Sequence, residues 1–328
     1  MSQYMDRSIT SGPTGPPVWD GPSLCGVSTR DDPDTVALMA LLHARPGKMT
    51  WPEIAAEVVM RGEACSLWEE HYPDGLYGPS DDTSHWSRAE AEVAAWRNAD
   101  FRLVTVLDEE YPTALLEIHQ VPPVLFVRGI FSPDVVGVSV VGSRQASERG
   151  LAAAGHLAEG LVKRDLSVLS GLAEGIDAAA HTATLRVGGR PIGVIGTGIT
   201  KAYPAKNRNL HEQVAARGAL VSQFWPDAPP QKHTFPMRNA TMSGLGRATI
   251  VVEAGEHSGA RIQARVAVEH GRPVILTDLV VQATDWARAL LGRPGVYHAR
   301  SPEEALEFVD QVLTPIDIDA GSLLALAL

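Results

Sequence analysis

Cysteine is almost missing from this chain. Its 328 residues include two, Cys25 and Cys65, 40 positions apart. With no CxxC pair, neither a zinc ribbon nor a disulfide framework is available, and a reducing cytoplasm is the expected location. Long apolar runs are missing too. None reaches the roughly 18 residues that cross a bilayer, and the first residues lack the basic-then-apolar order of a secretion signal. Several catalytic signatures are absent: there is no GxSxG elbow, HExxH, Walker A loop or convincing nucleophile–base pair. The expectation is therefore a protein without metal, cofactor, membrane partner or bond-breaking chemistry.

Positive charge is scarce overall, with a net charge of −11. That balance argues against nucleic acid until it is resolved along the chain. Residues 137–273 carry 16 Lys+Arg against 10 Asp+Glu, and the remainder carries 12 against 29. A basic central segment lies between acidic flanks, and such asymmetry bears on partners rather than on fold.

Hydrophobic residues make up 45% of the chain, enough for a packed core. Residues 1–34 are rich in Pro, Gly, Ser and Asp and read as a disordered leader. Residues 35–100 read as a small helical domain. Val36, Leu38, Met39, Leu41 and Leu42 form one apolar face. Thr50 can cap a second helix whose buried side is Ile54, Ala55, Val58 and Val59. A polar loop over 72–86 precedes a third helix from Ser87 to Trp96. At Phe101 the texture changes. Leu103 to Val106 is a strand, and Val121 to Val127 is an extended connection. From Val136 short apolar runs alternate with helices, with strands expected near 138–141, 166–169, 191–195, 219–222, 248–252 and 273–276. Continuous apolar strands between amphipathic helices mean an α/β fold, a parallel sheet with helices on both faces. Residues 301–328 hold a last helix, Pro302 to Leu313, and an apolar tail.

Glycine is plentiful where these strands end. Gly142-Ser143-Arg144 closes the first sheet strand, as either an ordinary tight turn or a phosphate grip with a bidentate arginine. Ser170-Gly171 leads through Gly175 to Asp177 and His181. These two are four apart and share a helix face, where they brace the helix start; a metal pair lacks a third ligand. Gly196-Thr197-Gly198 lacks the third glycine of a dinucleotide fingerprint. Lys201, Tyr203, Lys206 and Arg208 follow, cations with an aromatic ring that suit stacked bases and phosphates. Phe235 to Asn239 places Arg238 and Asn239 at the same sheet edge. Glu253 reads equally as a catalytic carboxylate or as a brace for Arg238 or a helix start, and Ser258-Gly259 closes the set. Glycine-rich strand-to-helix junctions bind phosphate.

In combination these motifs resemble the DprA/Smf family of DNA-processing proteins, in order and spacing over residues 137–276. Tyr111-Pro112 through Gly129 looks like the family's lead-in. The resemblance implies an extended Rossmann-like domain that binds single-stranded DNA without strong sequence preference. It also implies a homodimer that protects incoming single strands and loads a RecA-type recombinase in recombination and natural transformation. Carried onto this chain, Ser143, Arg144 and Arg238 are the phosphate binders, aided by Asn239 and by backbone at Gly142, Gly171 and Gly198. Lys201, Lys206 and Arg208 are groove cations on charge and position only. Asp177, His181, Glu253 and Ser258 are structural support. The chain departs from the family pattern at Ala240, where an arginine is common, and at Thr277-Asp278, where Pro-Gly is common. It also departs at Gln223, Ala260-Arg261 and Gln263. No winged-helix tail is expected. The rival reading is a nucleotide-binding protein or a phosphoribohydrolase acting on nucleoside monophosphates, with Arg238 and Glu253 as its catalytic candidates. The Pro-Gly-Gly-x-Gly-Thr motif of those enzymes is missing here. A third reading is a scaffold that has lost DNA binding.

Overall fold

The computed structural model describes residues 33–73 and 82–314. The expected leader lies outside the described residues except for Pro33 and Asp34, which open the first helix, and the apolar tail after Thr314 lies outside them as well.

Among the described residues four α-helices come first: α1 (Pro33–Ala44), α2 (Trp51–Arg61), α3 (Cys65–His71) and α4 (Asp82–Trp96). The start of α2 is fixed by a reciprocal capping box. Thr50 Oγ1 accepts from the Glu53 amide, and the Glu53 carboxylate accepts from the Thr50 amide. Such a box satisfies two of the orphaned amides of a helix start. The sequence reading missed α3, which is short and has no cap of its own. The Asp34 carboxylate supplies one from α1, accepting from Ala64 N at 2.6 Å and Cys65 N at 2.8 Å. The expected loop over 72–86 ends early, because α4 begins at Asp82.

Nine strands follow, interleaved with helices: β1 (Arg102–Thr105), β2 (Val124–Gly129), β3 (Gly137–Val141), α5 (Glu148–Val162), β4 (Ser167–Ser170), α6 (Ile176–Arg186), β5 (Pro191–Val194), α7 (Arg208–Arg217), β6 (Ala219–Ser222), α8 (Thr234–Leu245), β7 (Ala248–Val251), α9 (Gly259–Glu269), β8 (Val274–Thr277), α10 (Asp278–Val281), α11 (Asp285–Leu290), β9 (Val296–Ala299) and α12 (Pro302–Leu313). They form one sheet in the order β1-β2-β6-β5-β4-β3-β7-β8-β9. From β6 to β9 every pairing is parallel. The stretch expected as an extended connection is instead the strand β2, antiparallel to both β1 and β6. Val124 to Val127 are wholly buried, which is the signature of a strand covered on both faces. β9 was also unforeseen, being four residues long and only partly apolar.

The steps β3→β4→β5→β6 run one way across the sheet, and β7→β8 run the other way. Right-handed crossovers therefore separate α5–α7 from α8 and α9. Val138, Val140, Val168 and Ile250 pack with α5, α6 and α12 in one core. The other core joins α8 and α9 to the sheet and continues without a break into α1–α4. Trp96 packs edge-on to Phe126 at 5.1 Å, so the helical segment is welded to β2 rather than tethered to it. Strand order reverses at β3 and β7, and the crevice beyond the carboxyl ends of such strands is where open α/β sheets hold ligands.

Candidate functional site

β3, β4 and β5 deliver the loops 142–147, 171–175 and 195–204 to one sheet edge, and the first turns of α8 close it from the side. Between them lies a small cleft of about 60 Å3, lined by Arg144, Gly171, Tyr203, Phe235 and Arg238 among others.

Arg238 forms the floor. It is 7% exposed, and Nη1 donates to Val194 O at 2.6 Å while Nε donates to Asn239 Oδ1 at 3.2 Å. Gly171 exists to make room for it, since a Cβ there would fall 1.7 Å from Nη1. Burial lowers the Arg238 pKa, the Asp177 carboxylate opposes that shift, and the Arg144 charge adds to it. Asp177 is buried beneath the same loop. Its Oδ2 accepts from Gly171 N at 3.0 Å, and burial pushes its pKa up against the pull of Arg238. A buried cation is tolerable when a carboxylate and aligned carbonyls compensate for lost water.

Arg144 forms the rim. It is exposed and lies 5.7 Å over the Phe235 ring, with no ion pair among the described residues. The Tyr203 ring stands 5.7 Å from Phe235 at 47°. Tyr203 and Met237 each leave about two fifths of their surface open. A free guanidinium and two rings thus share one lip above a buried guanidinium. That set can hold an oxyanion between cations and stack a planar base beside it.

The other expected site residues divide into those that face the cleft and those spent on architecture. Ser143 Oγ accepts from Gln145 N at 3.0 Å, which turns the chain so that Arg144 points outward. Gly142 is a packing glycine, for its Cβ would meet Ile176 at 2.5 Å and Glu253 O at 2.6 Å. The amides of Gly171 and Gly198 were expected at phosphate. They are instead committed to Asp177 and, at 2.9 Å, to Ala228 O. The start of α5 is likewise occupied from within. The Glu253 carboxylate accepts from Ser147 N at 3.1 Å and Ser147 Oγ at 2.7 Å, acting as the helix's own anion. Ser258 caps α9 through Ala260 N. Asp177 and His181 share a helix face, but no hydrogen bond joins them. His181 is wholly buried, and burial pulls its pKa down to about 4, so it is neutral at pH 7.

Lys201 pairs with Asp227 at 3.2 Å, and Lys206 pairs with Glu174, while Arg208 is exposed at the start of α7. Exposed pairs of this kind are worth about 0–1 kcal/mol and yield readily to a competing anion. Asp278 bonds His298 at 2.8 Å and lines a separate cleft near the ends of β8 and β9, away from Arg144 and Arg238. Sequence reasoning missed Phe235 as the partner of Arg144. Its place one helical turn before Arg238 was the available signal.

The sequence profile of the family described as DNA recombination-mediator protein A matches residues 102–293. Protein Smf of Synechocystis is 41% identical over 178 residues, which is 53% of this chain and 45% of that protein. The chain therefore spans under half the length of that curated relative. The crystal structure of DNA processing protein A from Streptococcus pneumoniae superposes with a TM-score of 0.62 at 29% identity, covering 84% of this chain and 92% of that one. The corresponding protein of Helicobacter pylori, described by its single-stranded DNA binding mode, gives 0.57 at 22% identity, covering 64% and 97%. At that identity the likeness shows the fold alone.

Proposed function

Because the chain belongs to the DNA recombination-mediator protein A family, we propose that it binds single-stranded DNA at the cleft between Arg144 and Arg238. The observation that carries this reading is the Arg144 guanidinium, without an ion pair among the described residues, lying on Phe235, beside Tyr203 and above buried Arg238. A backbone phosphate takes the space between the two guanidinium groups, and a neighbouring base stacks on the exposed rings. Ser143 sets the turn that aims Arg144, and Asn239 orients Arg238. Lys201, Lys206 and Arg208 extend the track by exchanging their carboxylate partners for phosphates.

No bond need be made or broken in this role. The larger task we assign, working in the cytoplasm as a homodimer, is protection of incoming single strands and delivery to a RecA-type recombinase during recombination or transformation. The nucleotide-enzyme reading is weaker. Glu253, its carboxylate candidate, is held at the start of α5, and Arg238 is sealed on its protein side.

The test is binding of a fluorescent single-stranded oligonucleotide over a salt series, with Arg144→Ala and Arg238→Ala alongside and duplex and AMP as competitors. The reading requires affinity that falls with salt, is reduced in both variants and resists AMP. Displacement by AMP, or no binding, would replace it with the nucleotide-binding alternative or with a scaffold lacking DNA binding.

A further inference from the structure

Trp225, in the loop after β6, belongs to no part of the cleft, yet it touches both halves of the molecule. Its indole lies flat on the His43 imidazole of α1, with centroids 4.3 Å apart and planes 2° apart. Trp51 of α2 meets it edge-on at 5.3 Å, and Trp96 of α4 lies 6.2 Å away. His43 is itself held by Glu92 of α4 at 2.7 Å. Three helices of the amino-terminal segment therefore grip one side chain.

The backbone of the same loop is laced to the loop after β5. Gly198 N donates to Ala228 O at 2.9 Å, and Thr200 N and Oγ1 donate to Pro226 O at 3.1 and 2.8 Å. Lys201 pairs with Asp227. The fit is close enough that a Cβ on Gly198 would fall 2.3 Å from Trp225 O and 2.2 Å from Pro226 O. Three residues past Thr200, the chain reaches Tyr203 and Pro204 on the lip of the cleft. Any shift of Trp225 must move this loop, because two tightly packed backbones cannot slide independently.

We propose that Trp225 is a positioning residue, through which the amino-terminal helices hold Lys201 and Tyr203 in register with Arg144 and Arg238. This inference rests on the DNA-binding reading for its consequence, but not for its geometry. It makes the helical segment part of the binding apparatus, so that a ligand or partner displacing α1 or α4 would be felt at the cleft.

The experiment uses the full chain with Trp225→Ala, Trp225→Phe, Lys201→Ala and the Trp225→Ala/Lys201→Ala pair. Oligonucleotide affinity is measured over a salt series, and backbone hydrogen exchange is followed at Gly198 and Thr200. In Trp225→Ala the two amides exchange faster and affinity falls several-fold. The salt slope drops by about 0.7, the contribution of one phosphate contact on a single strand. A partly unfolded population would lower active concentration without changing that slope. Trp225→Phe keeps a ring against His43 and restores the slope, and the double variant binds no worse than Lys201→Ala by more than about twofold. Unchanged exchange in Trp225→Ala overturns the inference whether or not the protein binds DNA. An unchanged slope, or fully multiplicative losses in the pair, overturns it where the wild type binds. Failure of the wild type to bind, with exchange accelerated as expected, refutes the DNA reading and leaves the positioning geometry standing.

Discussion

Replacing Gly171 with alanine tests how the floor of the cleft is built. The added Cβ would fall 1.7 Å from Arg238 Nη1 and 2.4 Å from Cζ, whereas real Cβ contacts stay beyond 3.0 Å, so the guanidinium must retreat by about 1.3 Å. The loop cannot give way instead. Gly171 N is tied to Asp177, and Ser170 Oγ is tied to Val140 O at 2.7 Å. The retreat breaks the 2.6 Å bond from Nη1 to Val194 O. Losing a hydrogen bond from a charged donor costs about 1.5–3 kcal/mol. Gly171 does not occupy the left-handed region, so backbone strain adds nothing. The expected loss of stability is therefore about 2 kcal/mol, read as a shift in the urea midpoint followed by tryptophan fluorescence. Oligonucleotide affinity should fall roughly tenfold, as about 1.4 kcal/mol of binding free energy goes with the displaced Arg238. The decisive comparison is the same substitution in an Arg238→Ala background, where the clashing group is gone. There Gly171→Ala should cost almost nothing. Equal costs in the two backgrounds would refute the claim that this glycine exists to seat Arg238.

Three further outcomes follow from the same geometry. Arg144→Ala should leave stability within about 1 kcal/mol of wild type, since the side chain is exposed and loses only its contact with the Phe235 ring, while lowering the salt slope of oligonucleotide binding by about 0.7. An unchanged slope would remove Arg144 from the phosphate track. Glu253→Ala strips the acceptor from Ser147 N and Oγ and should cost about 1–2 kcal/mol in denaturant unfolding; no loss would mean that the α5 start is satisfied another way. His181 has a folded pKa of about 4 against the usual 6.5, so the unfolded state binds more protons between these values. Its contribution is fully present above pH 6.5 and is lost as pH falls towards 4, with about 2 kcal/mol gone at pH 5. The difference in urea midpoint between pH 7.5 and pH 5 should therefore shrink in His181→Leu, and an equal difference in both proteins would rule the histidine out.

Much of the fold could be read from the chain because buried parallel strands are continuous apolar runs between amphipathic helices. Val138–Val141 and Val274–Leu276 announce themselves this way. β2 did not, since Pro122-Pro123 precedes it and suggests a connection, and pairing with β1 and β6 is what makes it a strand. β9 and α3 are short and depend on tertiary partners, α3 on the Asp34 carboxylate supplied by α1. At the site, the residue types were legible but their duties were not. Glycine in a strand-to-helix loop reads alike whether it admits a phosphate or, as at Gly171, a guanidinium from the same chain. Glu253 shows the same ambiguity. Its sequence context allows a catalytic group or a brace, and only the position of Ser147 decides for the brace.

The cleft combines a cation the protein has already partly neutralised with one it has not. Arg238 is desolvated, compensated by Asp177 and fixed by Val194 O, so it loses little freedom when an anion arrives. Arg144 is solvated and rests on a ring, a contact worth about 0.5–1 kcal/mol. Lys201 and Lys206 sit between these extremes, each parked on an acidic side chain. On the proposed function, such a gradient would let a chain of net charge −11 bind a polyanion locally without attracting polyanions over its whole surface. On the same reading, a duplex, whose bases are already stacked on one another, gains nothing from the Tyr203 and Phe235 rings. Duplex should therefore compete poorly with a single strand of equal charge, and this preference should persist as salt is raised, because it comes from stacking and shape rather than from counterion release. A duplex that competed equally at every salt concentration would show that charge alone governs binding and that the two rings are idle.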